Sequence, residues 1–334
     1  MKIVVAVDSL KGSLTSIQAA QAIEKGIKRV EKEAEVVIKP LADGGEGTVD
    51  ALVDGMGGNM EFIKVTGPAG KPVLAKYGII RPTKSDMEET STAIMEMSQA
   101  AGITQVTDKE RNPLYTTTYG VGQMIVDAIH KGCRRFIMGI GGSATNDGGV
   151  GMLQALGYDF LDKDGNQIKH GAIGLKDLVQ IKDDKAIPEL KDCEFHIACD
   201  VTNPLCGEQG CSVIFGPQKG ATEQMIKDMD HWLADYAKIA KESFTKADAD
   251  KPGTGAAGGL GFAFLTFTNA TLKYRCRFDL TRNKIRRRDQ RCRYRDHRRR
   301  MLRCPDSDGE STDRSSETCE EIWEISLGIL RGSD

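Results

Sequence analysis

The chain begins with two rounds of one pattern, in which a short apolar run is followed by a polar turn and a helical segment. Residues 3–7 and 34–38 predict buried strands. Between them, apolar residues recur every three or four positions, as they do on one face of a helix: Ile17, Ala20, Ile23 and Ile27. A strand–loop–helix repeat of this kind favours a parallel sheet with functional loops at the carboxyl ends of its strands.

Further strand and helix signals alternate along the chain. Residues 62–65 and 73–80 predict two strands around a Gly/Pro turn, and residues 136–138 and 195–198 predict short buried strands that end in polar loops. Residues 221–240 predict a long amphipathic helix. These signals favour an α/β fold, and 334 residues suggest two domains at about 100–200 residues per domain.

The composition changes abruptly near residue 272. Residues 1–272 contain 24 Lys, 5 Arg and 34 Gly, whereas residues 273–334 contain 2 Lys, 15 Arg and 3 Gly. The net charge is −7 up to residue 272, +12 over residues 273–303 and −7 over residues 304–334. The total of −2 therefore averages unlike regions, and it supports no argument about long-range electrostatic steering.

No segment of the sequence is typical of export or of a membrane span. Residues 3–7 are too short for the apolar part of a signal peptide, and residues 260–267 are far below the roughly 18–20 apolar residues of a span. The cysteines before residue 272 match no zinc-binding spacing: Cys133, Cys193, Cys199, Cys206 and Cys211. We therefore expect a cytoplasmic protein with reduced, structural thiols.

Two loops near the amino terminus combine glycine with charged residues. The first, KGS at residues 11–13, lies between a strand and a helix, where backbone N–H groups hold phosphate; the alternative is an ordinary turn with Ser13 or Ser16 as the helix cap. The second reads DGGEG at residues 43–47. Its carboxylates are suited to Mg²⁺ or to accepting a proton from a hydroxyl, and the alternative is a turn followed by an acidic helix start.

Residues 139–149 form the loop richest in glycine. Five glycines accompany Ser, Thr, Asn and Asp directly after a buried strand. Because glycine lets backbone amides approach a ligand closely, this composition predicts a ligand-binding loop. Polar turns also follow strands at Asp200 and at residues 216–220. Residues 253–258 match G-x-G-x-x-G, but they follow a polar segment instead of a strand, which leaves close backbone packing or a phosphate-facing turn.

Taken together, these loops are similar to those of one family, the bacterial glycerate kinases that have neither a ribokinase fold nor a Walker loop. The similar stretches occur in the family's order and span about residues 1–270: DSLKGS (8–13), LADGGEGTV (41–49), VTGPAGKPV (65–73), RNPLYTTTYGVG (111–122), GIGGSATNDGGVGMLQALG (139–157), ACDVTNPLCG (198–207), FGPQKGAT (215–222) and GTGAAGGLG (253–261).

The resemblance implies a fold and an activity. The fold is α/β, with a Rossmann- or flavodoxin-like parallel sheet into which a second α/β domain is inserted. Residues 1–64 would form the first half of the discontinuous domain, residues 65–271 the inserted domain and the return, and residues 272–334 an aberrant remainder. The activity is phosphorylation of D-glycerate by ATP with Mg²⁺, with 2-phosphoglycerate as the usual product. Nucleic acid and membrane are not expected partners, and a homo-oligomer is compatible with the sequence.

The resemblance also implies roles for the loops. Lys11 and Ser13 would contact phosphate, and Asp43 or Asp200 would act as base or Mg²⁺ ligand. Lys219 and the backbone amides of residues 141–145 would hold phosphoryl oxygens or the glycerate carboxylate. The complete set of expected site residues is Asp8, Lys11, Ser13, Asp43, Gly44, Gly45, Glu46, Gly141, Gly142, Ser143, Thr145, Asn146, Asp147, Asp200 and Lys219.

The resemblance ends where the composition changes. Residues 296–301, read one base later through suitable codons, encode ITGEG, which is similar to the family's segment DIVITGEG. The Arg codons AGA and AGG become Glu and Gly codons in that shift, which accounts for an Arg-rich, Gly-poor tail. We therefore expect a frameshift in the gene or in its sequence. The alternatives are a truncated kinase without activity and nucleic-acid binding by the Arg-rich residues 286–300.

Overall fold

The structure is a computed structural model that describes residues 2–5, 7, 14, 16–38, 49–50, 53, 57–82 and 90–273. The chain divides into two compact units. The residues described in the amino-terminal part of the smaller unit lie between Lys2 and Ile38, and those of the larger unit lie between Val49 and Lys273.

The described part of the smaller unit is a strand, a helix and a strand. Strands β1 (Lys2–Val5) and β2 (Glu35–Ile38) pair in parallel, with Val5 opposite Ile38. Helix α1 (Ser16–Val30) connects them. The apolar positions predicted for one helix face line this core, in which Ala20 is buried and Ile23 and Ile27 are partly buried. The strand–loop–helix prediction is confirmed for these residues.

A mixed sheet forms the centre of the larger unit. Its strands are, in chain order, β3 (Asn59–Thr66), β4 (Pro72–Ile80), β5 (Ser91–Glu96), β6 (Cys133–Gly139), β9 (Glu194–Ala198) and β10 (Ala270–Lys273). The spatial order is β10-β9-β6-β5-β4-β3, with β5, β6, β9 and β10 parallel and the β3–β4 hairpin joined to β5 through an antiparallel β4–β5 pair. Strands β7 (Asp159–Leu161) and β8 (Gln180–Lys182) form a separate antiparallel ribbon.

Helices follow the strands of the larger unit. They are α2 (Ser98–Ala101), α3 (Tyr119–His130), α4 (Val150–Ala155), α5 (Ala172–Leu175), α6 (Cys211–Phe215), α7 (Glu223–Ser243) and α8 (Ala256–Phe267), with 3-10 turns at Ile103–Gln105, Pro188–Asp192 and Pro217–Lys219. Thr222 caps α7, because its hydroxyl accepts the Met225 N–H at 3.3 Å. The predicted helix at residues 221–240 is confirmed with a shift of a few residues.

The last described helix of the larger unit begins inside the G-x-G-x-x-G stretch of residues 253–258, for which the sequence leaves close backbone packing or a phosphate-facing turn. Helix α8 begins at Ala256. Three consecutive residues inside it have left-handed backbone angles, namely Ala257, Gly258 and Gly259, so the helix is kinked in its first turn. The remainder is almost entirely buried, and Phe264 contacts Phe195 of the sheet. The helix is therefore a core element.

Within the described residues, no helix has both the length and the apolar character needed to cross a membrane.

Candidate active site

The carboxyl ends of the parallel strands bring several polar segments to one edge of the larger sheet. Glu96, the last residue of β5, pairs in register with Gly139, the last residue of β6. Gly139 in turn pairs with Ala198, the last residue of β9. Glu96, the loop that follows Gly139 and the exposed Asp200 therefore leave the sheet at the same edge, as the expectation for functional loops in a parallel sheet requires.

The loop after β6 turns its first glycines outward. Gly141 and Gly142 are exposed, and Gly142 has a φ of +71°, a left-handed conformation that glycine adopts without steric cost. The Gly142 carbonyl accepts the Ile103 N–H at 2.8 Å, and the Ala144 N–H donates to the Ala101 carbonyl at 2.9 Å. The loop is thus fastened on one side to α2 and the turn after it, while its glycine tip faces solvent.

Asp147 fixes the inner part of this loop. One carboxylate oxygen accepts both the backbone N–H of Thr118 at 2.8 Å and its hydroxyl at 2.9 Å. The other accepts the Gly149 N–H at 3.1 Å. Burial raises the pKa of Asp147, and these hydrogen bonds oppose the shift. A segment of the RNPLYTTTYGVG stretch therefore supports the loop from within.

A buried lysine also reaches the loop. Lys219 is 1% exposed, and its Nζ donates to the Thr145 carbonyl at 2.6 Å. Burial lowers the pKa of Lys219 to about 8. Asn146 donates to the Ser212 hydroxyl at 2.8 Å, whereas the Thr145 Oγ1 and the Asn146 Oδ1 have no hydrogen-bond partner among the described residues. The loop therefore contacts a buried lysine and contains two polar atoms that lack partners among the described residues.

The glycine-rich stretch at residues 253–261 packs behind the loop. The Gly148 N–H donates to the Gly258 carbonyl at 3.0 Å. A Cβ atom on Gly258 would lie 2.1 Å from the Thr145 carbonyl oxygen, so only glycine fits there. Of the two interpretations left open by the sequence, the geometry supports close backbone packing.

The structure describes only some of the other expected site residues. Asp200 is exposed directly after β9, and Ser143 is buried where it bridges to Gly102. Seven expected residues lie outside the described residues: Asp8, Lys11, Ser13, Asp43, Gly44, Gly45 and Glu46. Their roles stay predictions.

Sequence reasoning missed Glu96. This residue is 2% exposed, and its Oε1 accepts the Val49 N–H at 2.9 Å. The signal was present, because a glutamate stands alone in the apolar run Ala93-Ile94-Met95-Glu96-Met97. A charged residue at the end of a buried strand is a stronger indication of a site than a polar residue in a turn.

Among the described residues, no three His, Cys, Asp or Glu side chains come together as a metal site would require. The five cysteines of this part are free thiols, and burial raises the pKa of each, to about 12 for Cys211. Buried thiols with raised pKa values are poor nucleophiles.

Comparison with known proteins identifies the class of this fold. The chain matches the glycerate kinase family over residues 3–292. It is 47% identical over 270 residues to a glycerate kinase of Halalkalibacterium halodurans, an alignment that covers 81% of this chain and 69% of that protein. It is 47% identical over 273 residues to a glycerate 2-kinase of Escherichia coli, with 82% of this chain and 70% of that protein covered.

A solved structure agrees with these relatives. The crystal structure of a protein assigned as glycerate kinase 2 from Salmonella typhimurium superposes with a TM-score of 0.77 at 44% identity, covering 82% of this chain and 71% of that chain. The fold and the matches define a kinase of the α/β class. The chain belongs to the glycerate kinase family, which confirms the resemblance seen in its loops.

Proposed function

We propose that this protein transfers the γ-phosphoryl group of ATP to D-glycerate and forms 2-phosphoglycerate in the cytoplasm. The observation that supports it most is the 47% identity to relatives named glycerate kinase and glycerate 2-kinase, over most of the chain. The glycine-rich loop at the sheet edge is in keeping with this reaction. Phosphoryl transfer requires little covalent chemistry from a protein, so catalysis depends on positioning and charge neutralisation.

The larger unit supplies two of the required features. Backbone N–H groups at Gly141 and Gly142 are suited to phosphoryl oxygens or to the glycerate carboxylate, because glycine leaves them accessible. Lys219 adds positive charge from behind the loop, where low dielectric strengthens its field. We further propose that Ser143, Thr145, Asn146 and Asp147 hold the loop in the conformation that receives substrate.

The amino-terminal loops supply the remaining groups in this proposal. Lys11 and Ser13, next to Asp8, contact phosphate. Asp43 acts as base or metal ligand, with Gly44, Gly45 and Glu46 forming its loop. An in-line transfer then moves the phosphoryl group from the ATP oxygen to the glycerate hydroxyl, whose proton passes to a carboxylate.

Mg²⁺ is the cofactor implied by a kinase of ATP. Mg²⁺ commonly binds one or two carboxylates together with substrate phosphates, so an exposed carboxylate such as Asp200 at the loop edge fits this mode without an all-protein cage. We propose that Asp200 and Asp43 hold it. When bound, it would neutralise charge on the transferred phosphoryl group.

The test is an assay of the full chain with ATP, Mg²⁺ and D-glycerate, with the product identified by ³¹P NMR. We expect 2-phosphoglycerate, and 3-phosphoglycerate would correct the position of transfer. Asp43→Asn and Asp200→Asn should each lower kcat by about 100-fold or more, whereas Asp177→Asn, at an exposed position just after α5 that has no place in the proposed site, should leave it unchanged. Unchanged turnover in either site variant would remove that residue from the mechanism.

The tail after residue 272 needs a separate test. The alignments with three glycerate kinases span 270–274 residues and cover about 70% of the length of each. We propose that a frameshift separates residues 273–334 from the family's sequence, and the nucleotide sequence around codons 270–276 decides it. An intact frame would favour the alternatives: no turnover for a truncated kinase, or salt-dependent DNA binding that is lost when residues 273–334 are deleted.

A further inference from the structure

Glu96 carries a carboxylate into the interior at the end of β5. It is 2% exposed, and its Oε2 atom has no hydrogen-bond partner among the described residues. Burying a polar atom without a partner destabilises a fold, so a native chain keeps such a group only where it serves a purpose. Burial raises the pKa of Glu96, and interactions with the Val49 amide and the Gln99 side chain oppose the shift.

The other oxygen of this carboxylate holds a distant part of the chain. Oε1 accepts the Val49 N–H at 2.9 Å across a separation of 47 residues. Val49 is itself 1% exposed. The next residue, Asp50, pairs with Lys76 of β4 at 2.7 Å. Val49 and Asp50 therefore contact the neighbouring strands β5 and β4, Val49 through a buried hydrogen bond and Asp50 through a partly exposed ion pair.

The hydrogen bond between Val49 and Glu96 is connected to the proposed reaction by its position in the sequence and in the sheet. In the sequence, Val49 directly follows the stretch LADGGEGT, which contains Asp43 and Glu46. In the sheet, Glu96 lies in register beside Gly139, from which the glycine-rich loop departs. One carboxylate thus links the residue after the acidic loop to β5, the strand beside the one from which the glycine-rich loop departs.

We propose that Glu96 is a positioning residue of the kinase, which fixes the Val49 amide at the active edge of the sheet and so sets the point from which the acidic loop extends. This role rests on the proposed function. It depends on the position of the acceptor atom and not on the negative charge of the side chain, because the Val49 N–H that Glu96 holds is a neutral backbone amide.

Two conservative variants of Glu96 separate the effect of the position of its acceptor oxygen from the effect of its negative charge. Glu96→Gln keeps an acceptor oxygen at the same reach and removes the charge, whereas Glu96→Asp keeps the charge and withdraws the acceptor by one methylene. Glu194→Gln is the matched control, because Glu194 is an exposed glutamate at the opposite end of the parallel strand β9. Neither site variant removes more than a small part of the side chain, so each should fold.

The readouts are hydrogen exchange of the Val49 amide in the full chain and the kcat and KM of ATP-dependent glycerate phosphorylation. We expect Glu96→Asp to raise the exchange rate about tenfold or more and to lower kcat by about 10- to 100-fold, with a smaller change in KM. Glu96→Gln should stay within about threefold of wild type in both measurements, as should Glu194→Gln.

Three results would overturn the proposal. One is Val49 exchange that is unchanged in Glu96→Asp. Another is an exchange change without any loss of kcat. The third is a Glu96→Gln variant as impaired as Glu96→Asp, because the charge would then be what matters. If the wild-type chain shows no glycerate-dependent turnover, the proposed function fails, while the order of exchange rates still decides whether Glu96 anchors Val49.

Discussion

The larger unit contains two groups of polar side chains that differ in their exposure to solvent and in the part of the structure that they hold. The hairpin cluster consists of Glu61, Tyr77, Asp127 and Lys131. Lys131 donates to Glu61 at 3.0 Å and to Asp127 at 2.8 Å, which joins α3 to the β3–β4 hairpin. The charged side chains are 25–32% exposed, so water shares in their solvation. Lys131 offsets part of the negative charge of the two carboxylates without a large cost of burial.

The loop cluster consists of Thr118, Thr145, Asn146, Asp147 and Lys219. All five residues are buried, and their bonds go largely to the backbone of the glycine-rich loop or of the segment that supports it. Two of their oxygens lack hydrogen-bond partners among the described residues. The hairpin cluster stabilises the packing of a helix, whereas the loop cluster fixes the path of a backbone at a cost in stability, which is the arrangement expected of a functional site.

The largest expected difference between the two regions concerns two glycines, one packed against the glycine-rich loop and one in the hairpin turn. Gly258 and Gly70 both have left-handed backbone angles, with φ of +68° and +77°. A Cβ on Gly258 meets the Thr145 carbonyl oxygen at 2.1 Å, whereas one on Gly70, in the hairpin turn, meets nothing within 4 Å. We expect Gly258→Ala to lower the free energy of unfolding by about 3–5 kcal/mol and Gly70→Ala by about 1–2 kcal/mol. Urea denaturation measures both, and equal losses would contradict a tightly packed loop.

The two aspartates give the next largest difference. Asp147→Asn places an NH₂ group where the carboxylate accepts hydrogen bonds from Thr118 or Gly149, so a buried donor loses its acceptor. We expect a loss of about 3 kcal/mol in the free energy of unfolding. Asp127→Asn, in the partly exposed hairpin cluster, should cost about 1 kcal/mol or less. If thermal denaturation shows a larger loss for Asp127→Asn than for Asp147→Asn, the loop cluster does not fix the backbone as we infer.

The smallest expected effect concerns pH and the two lysines. Burial lowers the pKa of Lys219 to about 8 from 10.5. Between these values the unfolded chain binds more protons than the folded chain, so the stability of wild type relative to Lys219→Met should rise with pH, by about 2 kcal/mol. Below pH 8 both states are charged and the difference should be flat. Lys131, whose pKa is raised, serves as the control: wild type relative to Lys131→Met should show no such rise.

Much of this architecture follows from local sequence patterns. The apolar runs at residues 136–138 and 195–198 predict β6 and β9, and the Gly/Pro turn at residues 67–70 predicts the β3–β4 hairpin. These elements have continuous apolar cores with clear turn residues on either side. The loop at residues 139–149 is also predictable, because a run of glycines and small polar residues directly after a buried strand favours neither a helix nor a strand.

Other features depend on contacts that sequence spacing does not encode. The bond from Val49 to Glu96 joins residues 47 apart, and Lys219 meets Thr145 across 74 residues. The family resemblance implies a ligand for Lys219, and no sequence pattern indicates that its Nζ faces a backbone carbonyl in the interior. The sequence of residues 253–258 does not decide between close backbone packing and a phosphate-facing turn, because the packing partner of these glycines, the loop at Thr145, is remote in sequence.

The position of the last strand has a consequence for how the chain folds during synthesis. The six strands described for the larger sheet, the last of which is β10 (Ala270–Lys273), precede the region in which arginine replaces glycine as the characteristic residue. A ribosome that has added Lys273 has already delivered each of these six described strands. Because domains generally fold as units while translation continues, we expect the larger unit to form on the nascent chain whatever reading frame follows.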